Sequence, residues 1–350
     1  MNWTPYYTGT GTVPELSPTL PAPPPWRAPA NRDHSGTNGQ TWKALLPSPA
    51  GTYQPDPGLV EAVNAALYLR RPLLLTGPAG SGKSTVIEQI AAELRLGSVL
   101  RWHITSRSAL TDALYRYDAL GRIHAHNVRA IDHPGASGTG RAPRRSARTT
   151  LAARAARATR DDIGDFIQLG PLGTALLPGS TPRALLIDEI DKSDLDLPSD
   201  LLDILERGHF EIPELARHSR SRVTVRTVEP GISHELHNGL VECQEFPVIV
   251  LTSNGERDFP APFLRRCVRF NMPMLTASTL TQIVEAHLET VDDDTTKTMV
   301  DAFVDRLNRG ESLAVDQLLS AVHLLRGNHV QDEAQRMRLQ ELLLQGLGRA

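Results

Sequence analysis

The residues Gly77-Pro78-Ala79-Gly80-Ser81-Gly82-Lys83-Ser84, with Thr85 behind them, have the spacing G-x-x-x-x-G-K-[ST] and sit between an apolar run and a helix-forming one. That combination suits the holding of a chain of phosphates. Glycines at 77, 80 and 82 let successive backbone N–H groups turn inward around an anion, and the positive end of the following helix faces the same point. Lys83 brings a positive charge to the outer phosphates. Ser84 offers a hydroxyl to Mg2+, a hard cation that takes oxygen ligands and keeps several of its waters.

A second group of residues ends the apolar run Ala184-Leu185-Leu186-Ile187 with two acids, Asp188 and Glu189. Burying charge is costly unless it meets a cation, so paired carboxylates at the tip of a buried strand imply one. Asp188 is expected to hold Mg2+ together with Ser84, and Glu189 to orient and deprotonate an attacking water. The run Val248-Ile249-Val250-Leu251 leads through Thr252-Ser253 to Asn254. Adjacent parallel strands end in one crevice, so Asn254 is expected to touch the terminal phosphate or the water. Arg265 and Arg266 close a short apolar segment, and a guanidinium there could stabilise charge developing on a transferred phosphoryl group, in a neighbouring subunit's site as well. The twelve histidines have no metal-ligand spacing to Cys243 and Cys267, so no second catalytic centre is expected.

Such residues need a rigid frame. Leu59, Val63, Ala66 and Leu67 recur at helical spacing, and Pro72 to Thr76 reads as a short buried strand. A helix is expected over Ile87 to Leu94, strands near Val99 to Ile104, Ala184 to Ile187 and Val248 to Leu251, and a helix over Ser199 to Glu206. Short apolar strands alternating with helices imply a parallel sheet covered on both faces, an α/β fold over residues 58–274. Beyond Pro273 the apolar residues follow helical spacing alone, as in Met299, Val300, Phe303 and Leu307, which predicts a small all-helical domain over 275–350.

Three segments fall outside this frame. Residues 1–57 hold nearly half of the 26 prolines and read as an extended, largely disordered arm. Residues 134–160 carry seven arginines and no acid, and read as a disordered loop that could also grip nucleic acid. Residues 210–246 are expected to project as a β-hairpin on the alternating run Val223, Val225, Val228. The net charge of -3 gives no general attraction to nucleic acid or to an anionic bilayer. Two cysteines suit a reducing compartment, and no run reaches the roughly 18 apolar residues of a membrane span. A cytoplasmic protein without membrane contact is expected.

The set of phosphate loop, Asp-Glu strand, Asn-ended strand, arginine pair and helical lid resembles the AAA+ superfamily, over roughly Leu59 to Leu325. Gly170-Pro171-Leu172, the string Ile187-Asp188-Glu189-Ile190-Asp191-Lys192 and the long insertion before Asn254 look like its MoxR-like branch. The resemblance implies a P-loop NTPase αβα sandwich followed by a small helical lid. It further implies an ATPase that uses Mg2+ and works as a homo-oligomer, a hexamer by the family habit. Its work would be chaperone-like remodelling of a protein client, often one with a von Willebrand A domain. Under the resemblance Gly77 to Thr85 and Asp188 bind nucleotide, Ser84 and Asp188 hold the metal, Glu189 activates water, Asn254 senses the phosphate, and Arg266 is the first candidate for the arginine finger, with Arg265 the alternative. One departure stands out: where the branch places a lid arginine, this chain has Ser312-Leu313-Ala314-Val315-Asp316, with Arg309 and Arg326 the nearest substitutes. A nucleic-acid-directed motor gripping phosphates through 134–160, and a nucleotide-gated switch with little turnover, are the competing expectations.

Overall fold

The structure is a computed structural model describing residues 8–11, 55–78, 80–131, 163–273, 276–278, 280–281, 284, 294–309, 311, 313, 315–326 and 333–344. Five strands form one parallel sheet: β1 (Leu73–Thr76), β2 (Leu100–His103), β5 (Ala184–Asp188), β10 (Val248–Ser253) and β11 (Val268–Asn271), in the order β11-β1-β10-β5-β2. Because side chains alternate along a strand, both faces of this sheet are loaded with apolar residues. Leu73, Leu75, Ala184, Leu186 and Val250 enter one core with helices Pro57–Leu69 and Lys83–Glu93. Leu74, Leu185, Ile187, Ile249 and Leu251 enter the opposite one, which includes Leu201 and Leu205 of helix Leu197–Arg207. The αβα sandwich expected from the sequence is therefore present. A separate apolar cluster of Leu280, Phe303, Leu318, Val322 and Leu344 holds the helical region, with helices Asp294–Asn308, Val315–Arg326 and Glu333–Leu343.

The local boundaries follow sequence chemistry. Asp56 caps the first helix by accepting the Gly58 N–H at 2.8 Å, and Pro57 occupies the first turn, where its missing N–H costs nothing. Strand β10 lies between β1, which leads into the glycine loop, and β5, which ends in the two acids. Strand β11 had no counterpart in the sequence reading, because its exposed Arg269 and Asn271 break the apolar run of an edge strand.

The expected hairpin in 210–246 is β7 (Arg222–Arg226) with β8 (Ser233–His237), but it does not stand alone. With β3 (Tyr115–Tyr117), β4 (Ile167–Leu169), β6 (His209–Glu211) and β9 (Leu240–Glu242) it makes a second sheet, in the order β3-β4-β7-β8-β9-β6. Val223, Val225, Leu236 and Val241 are buried in the same core as Leu185, so the segment packs down on the sandwich instead of projecting. Gly170 and Gly173 make this close packing possible. A Cβ on Gly173 would lie 2.0 Å from the Leu114 carbonyl oxygen, and one on Gly170 would lie 2.3 Å from that of Ala113. Gly173→Ala is expected to destabilise the fold by about 1–3 kcal/mol through overpacking. A lowered denaturant midpoint at unchanged slope would show it; an unchanged midpoint would mean that the backbone yields there.

Most of the proline-rich segment 1–57 and all of 134–160 lie outside the described residues. Residues 8–11, assigned to a disordered arm from the sequence, are anchored: the buried Glu93 carboxylate accepts the Thr8 N–H at 2.9 Å and the Gly11 N–H at 2.8 Å. A buried carboxylate requires such donors, and composition alone does not reveal them. No helix among the described residues is long and apolar enough to cross a membrane.

Candidate functional site

Strand β1 delivers the loop 77–82 and helix Lys83–Glu93 leads away from it. Gly80 and Gly82 have φ of +76° and +80°, values that place a turn of inward-facing amides within reach of glycine and little else. The helix has no side-chain cap at Gly82, so the donors of its first turn remain available to an anion. These features fit a bound triphosphate. Ala79 lies outside the described residues.

Lys83 is 7 % exposed and donates to Gly77 O and Pro78 O, both at 2.8 Å, and to Asn254 Oδ1 at 2.9 Å. Burial lowers its pKa from the usual lysine value, and the charges of Asp191, Asp188 and Glu189 oppose that shift. The lysine thus stands among three acids, a setting in which the ammonium form keeps counter-charges at hand.

Ser84 Oγ donates to Asp188 Oδ1 at 3.0 Å, which brings the phosphate loop and the acid strand to one point across the intervening β10. Two oxygen groups in contact, one of them a carboxylate, are the donor set that Mg2+ selects, so the residues fit that metal. Consecutive strand residues point to opposite faces, yet Asp188 and Glu189 both reach His103 at the end of β2. His103 Nδ1 lies 3.9 Å from Asp188 Oδ2, and its Nε2 lies 3.5 Å from Glu189 Oε2. The backbone explains this. Glu189 has φ 59° and ψ 47°, a left-handed conformation unusual outside glycine, which ends the strand and turns the second carboxylate back toward the first.

Several neighbours of the acids have no role assigned from the sequence. Thr252 Oγ1 donates to Asp188 Oδ1 at 2.5 Å and accepts the Glu189 N–H at 2.8 Å. Lys192 Nζ sits 2.7 Å from Glu189 Oε2, and that hydrogen bond is the main cause of its raised pKa. Asp191 Oδ2 accepts the N–H groups of Asn254 at 2.9 Å and Glu256 at 3.1 Å, which sets the loop carrying Asn254. Only Lys192 and Asp191 carried a sequence signal, as members of the acidic string.

The arginine pair is not part of this cluster. Strand β11 starts beside the start of β1, with Val268 opposite Leu73, so Arg265 and Arg266 lie at the far end of the sheet from the loop that follows Thr76. The strand alone separates them by roughly 10 Å. Arg265 is exposed, whereas Arg266 bonds through Nε to Glu206 and through Nη1 to Pro262 O at 3.2 Å. In the helical region, buried Val315 comes against the loop: a Cβ on Gly80 would lie 2.9 Å from Val315 N. Ser312, Ala314 and the Arg326 side chain lie outside the described residues, and Arg309 is exposed at the end of the preceding helix.

Residues 72–267 match the family described as AAA domain (dynein-related subfamily). No curated protein matches the chain.

Proposed function

The chain belongs to the AAA domain family, dynein-related subfamily, and from that premise we propose that it is a MoxR-like ATPase that hydrolyses ATP in a ring of identical subunits to remodel a protein partner. The observation that carries the site is the 3.0 Å contact of Ser84 with Asp188, which joins the phosphate loop to the acid pair. In this reading the loop of Gly77, Pro78, Ala79, Gly80, Ser81 and Gly82 wraps the triphosphate, with the N–H groups after Pro78 and those at the start of the helix at Lys83, Ser84 and Thr85 as the donors, since Pro78 has no N–H and that of Gly77 is held by Ser253 O at 3.2 Å. Lys83 turns from Gly77 O and Pro78 O to the outer phosphates. Ser84 and Asp188 would hold Mg2+, whose charge offsets that of the phosphate oxygens. Glu189 takes a proton from water as the water oxygen bonds to the γ-phosphorus and the bond to the β-phosphate oxygen breaks. Asn254 joins Lys83 to the loop set by Asp191, which supports its role as a sensor of the terminal phosphate.

Arg265 and Arg266 lie too far from their own loop to serve it, so one of them completes the site of an adjacent subunit, with Arg266 oriented by Glu206 and Arg265 freely exposed. A hexamer is the closed assembly we propose. Arg265→Ala, Arg266→Ala and Lys83→Ala proteins, each prepared separately, test it through phosphate release. Loss of one charge-assisted contact of about 1.5–3 kcal/mol lowers turnover about tenfold or more in the arginine variant that matters. Mixing that variant with Lys83→Ala is expected to restore activity, since an intact loop then meets an intact arginine. Mixtures no more active than their components would exclude the shared site.

Val315 against Gly80, where the branch places a lid arginine, supports a second reading in which ATP chiefly switches assembly. Very slow turnover with a nucleotide-dependent change in particle size would favour it.

A further inference from the structure

We propose that Thr252 is a positioning residue that sets both acids of the site through one hydroxyl; the inference rests on the ATPase reading of that site. A hydroxyl has one proton to donate and lone pairs to accept with. Thr252 uses the proton on Asp188 Oδ1 at 2.5 Å and a lone pair on the Glu189 N–H at 2.8 Å. At 1 % exposure it has no competing water.

The sheet register explains why a side chain is needed. The ladder between β10 and β5 ends at Leu251 opposite Ile187. Glu189 then turns left-handed, which takes its N–H out of line with any strand partner. The Thr252 hydroxyl supplies the missing acceptor just where the ladder stops. On its other side Thr252 remains paired with Leu75 of β1, one residue before the strand end that bears the phosphate loop. Its backbone therefore belongs to the phosphate-loop side of the sheet and its hydroxyl to the acid side. Asp188 Oδ1 receives both this hydroxyl and Ser84 Oγ, at 2.5 and 3.0 Å. With that oxygen fixed by two O–H donors, Oδ2 is the one turned toward other ligands, and the carboxylate plane is set before any metal arrives.

Thr252→Val removes the hydroxyl at nearly constant shape, and Thr252→Ser keeps it. In steady-state phosphate release, Thr252→Val is expected to lower kcat by about tenfold, with the ATP Kd changed less than about twofold and a higher Mg2+ concentration needed for half-maximal rate. Thr252→Ser is expected to recover most of kcat. Without nucleotide, hydrogen exchange at the Glu189 amide is expected to be faster in Thr252→Val than in wild type and Thr252→Ser. An unchanged kcat with unchanged exchange would overturn the proposal, as would an equal loss in Thr252→Ser. If Thr252→Val fails to fold, Thr252→Cys takes its place, since the thiol keeps the volume but is a weak donor. No phosphate release from wild type would instead sink the ATPase reading, and the exchange comparison would still decide the role of Thr252.

Discussion

Glu189→Gln is expected to bind ATP as wild type does and to release phosphate about a hundredfold to ten-thousandfold more slowly, the usual contribution of a positioned general base. The substitution keeps the side-chain length and removes the negative charge together with the ability to take a proton. Its backbone support is independent of the carboxylate, because the Glu189 N–H is held by Thr252 Oγ1 at 2.8 Å. The left-handed turn at φ 59° therefore persists in the variant. Lys192 loses an ionic partner at 2.7 Å, but that pair is partly exposed and contributes little to stability. In the proposed reading the nucleotide contacts run through the loop and Lys83, so calorimetry with ATP and Mg2+ is expected to give a Kd within about twofold of wild type, while single-turnover chemistry stalls. Equal phosphate release by the two proteins would remove Glu189 from the chemistry and leave the neighbouring His103 as the group to examine.

The legible part of the site is the part that is contiguous in the chain. Gly77 to Thr85 and Asp188-Glu189 are local strings whose chemistry is stated by residue type and spacing, and the structure brings Ser84 and Asp188 into contact. The rest depends on strand order. His103 and Thr252 meet the acids because β2 and β10 flank β5, a placement no local pattern encodes. Thr252 in particular lies at the end of an apolar strand, where a β-branched residue is ordinary. Its importance depends on the left-handed turn at Glu189, which appears only in three dimensions.

The same distinction divides the fold. The three central strands of the parallel sheet were readable because Leu73 to Leu75, Leu185 to Ile187 and Ile249 to Leu251 are continuous apolar runs, the mark of strands buried on both faces. The second sheet was not. Four of its strands have three residues each, too few for alternation to register. Tyr115 pairs with Leu169 across a long intervening segment, so the pairing leaves no local trace. Gly170-Pro171-Leu172 could be matched to a family pattern, but the reason for its glycine is the backbone of the Leu110–Leu114 helix pressed against it.

Lys83→Ala is expected to abolish measurable ATP binding. Two phosphate contacts at about 1.5–3 kcal/mol each amount to a loss of roughly hundredfold to ten-thousandfold in Kd. The protein without nucleotide is affected less. Burial opposes the Lys83 charge, so removing it relieves a desolvation cost, while Asp188, Asp191 and Glu189 lose a neighbouring cation. These effects have opposite signs, and the thermal midpoint is expected to move by only a few degrees. The separation is readable in one titration. Ligand bound only to the native state raises stability by RT ln(1 + [L]/Kd), so ATP with Mg2+ raises the wild-type midpoint and leaves that of Lys83→Ala in place. The loop glycines remain, and any residual shift measures what the backbone amides hold without the lysine. A variant whose midpoint rises with ATP as steeply as wild type would show that the triphosphate is held elsewhere, and the roles of Ser84, Asp188 and Glu189 would fall with it.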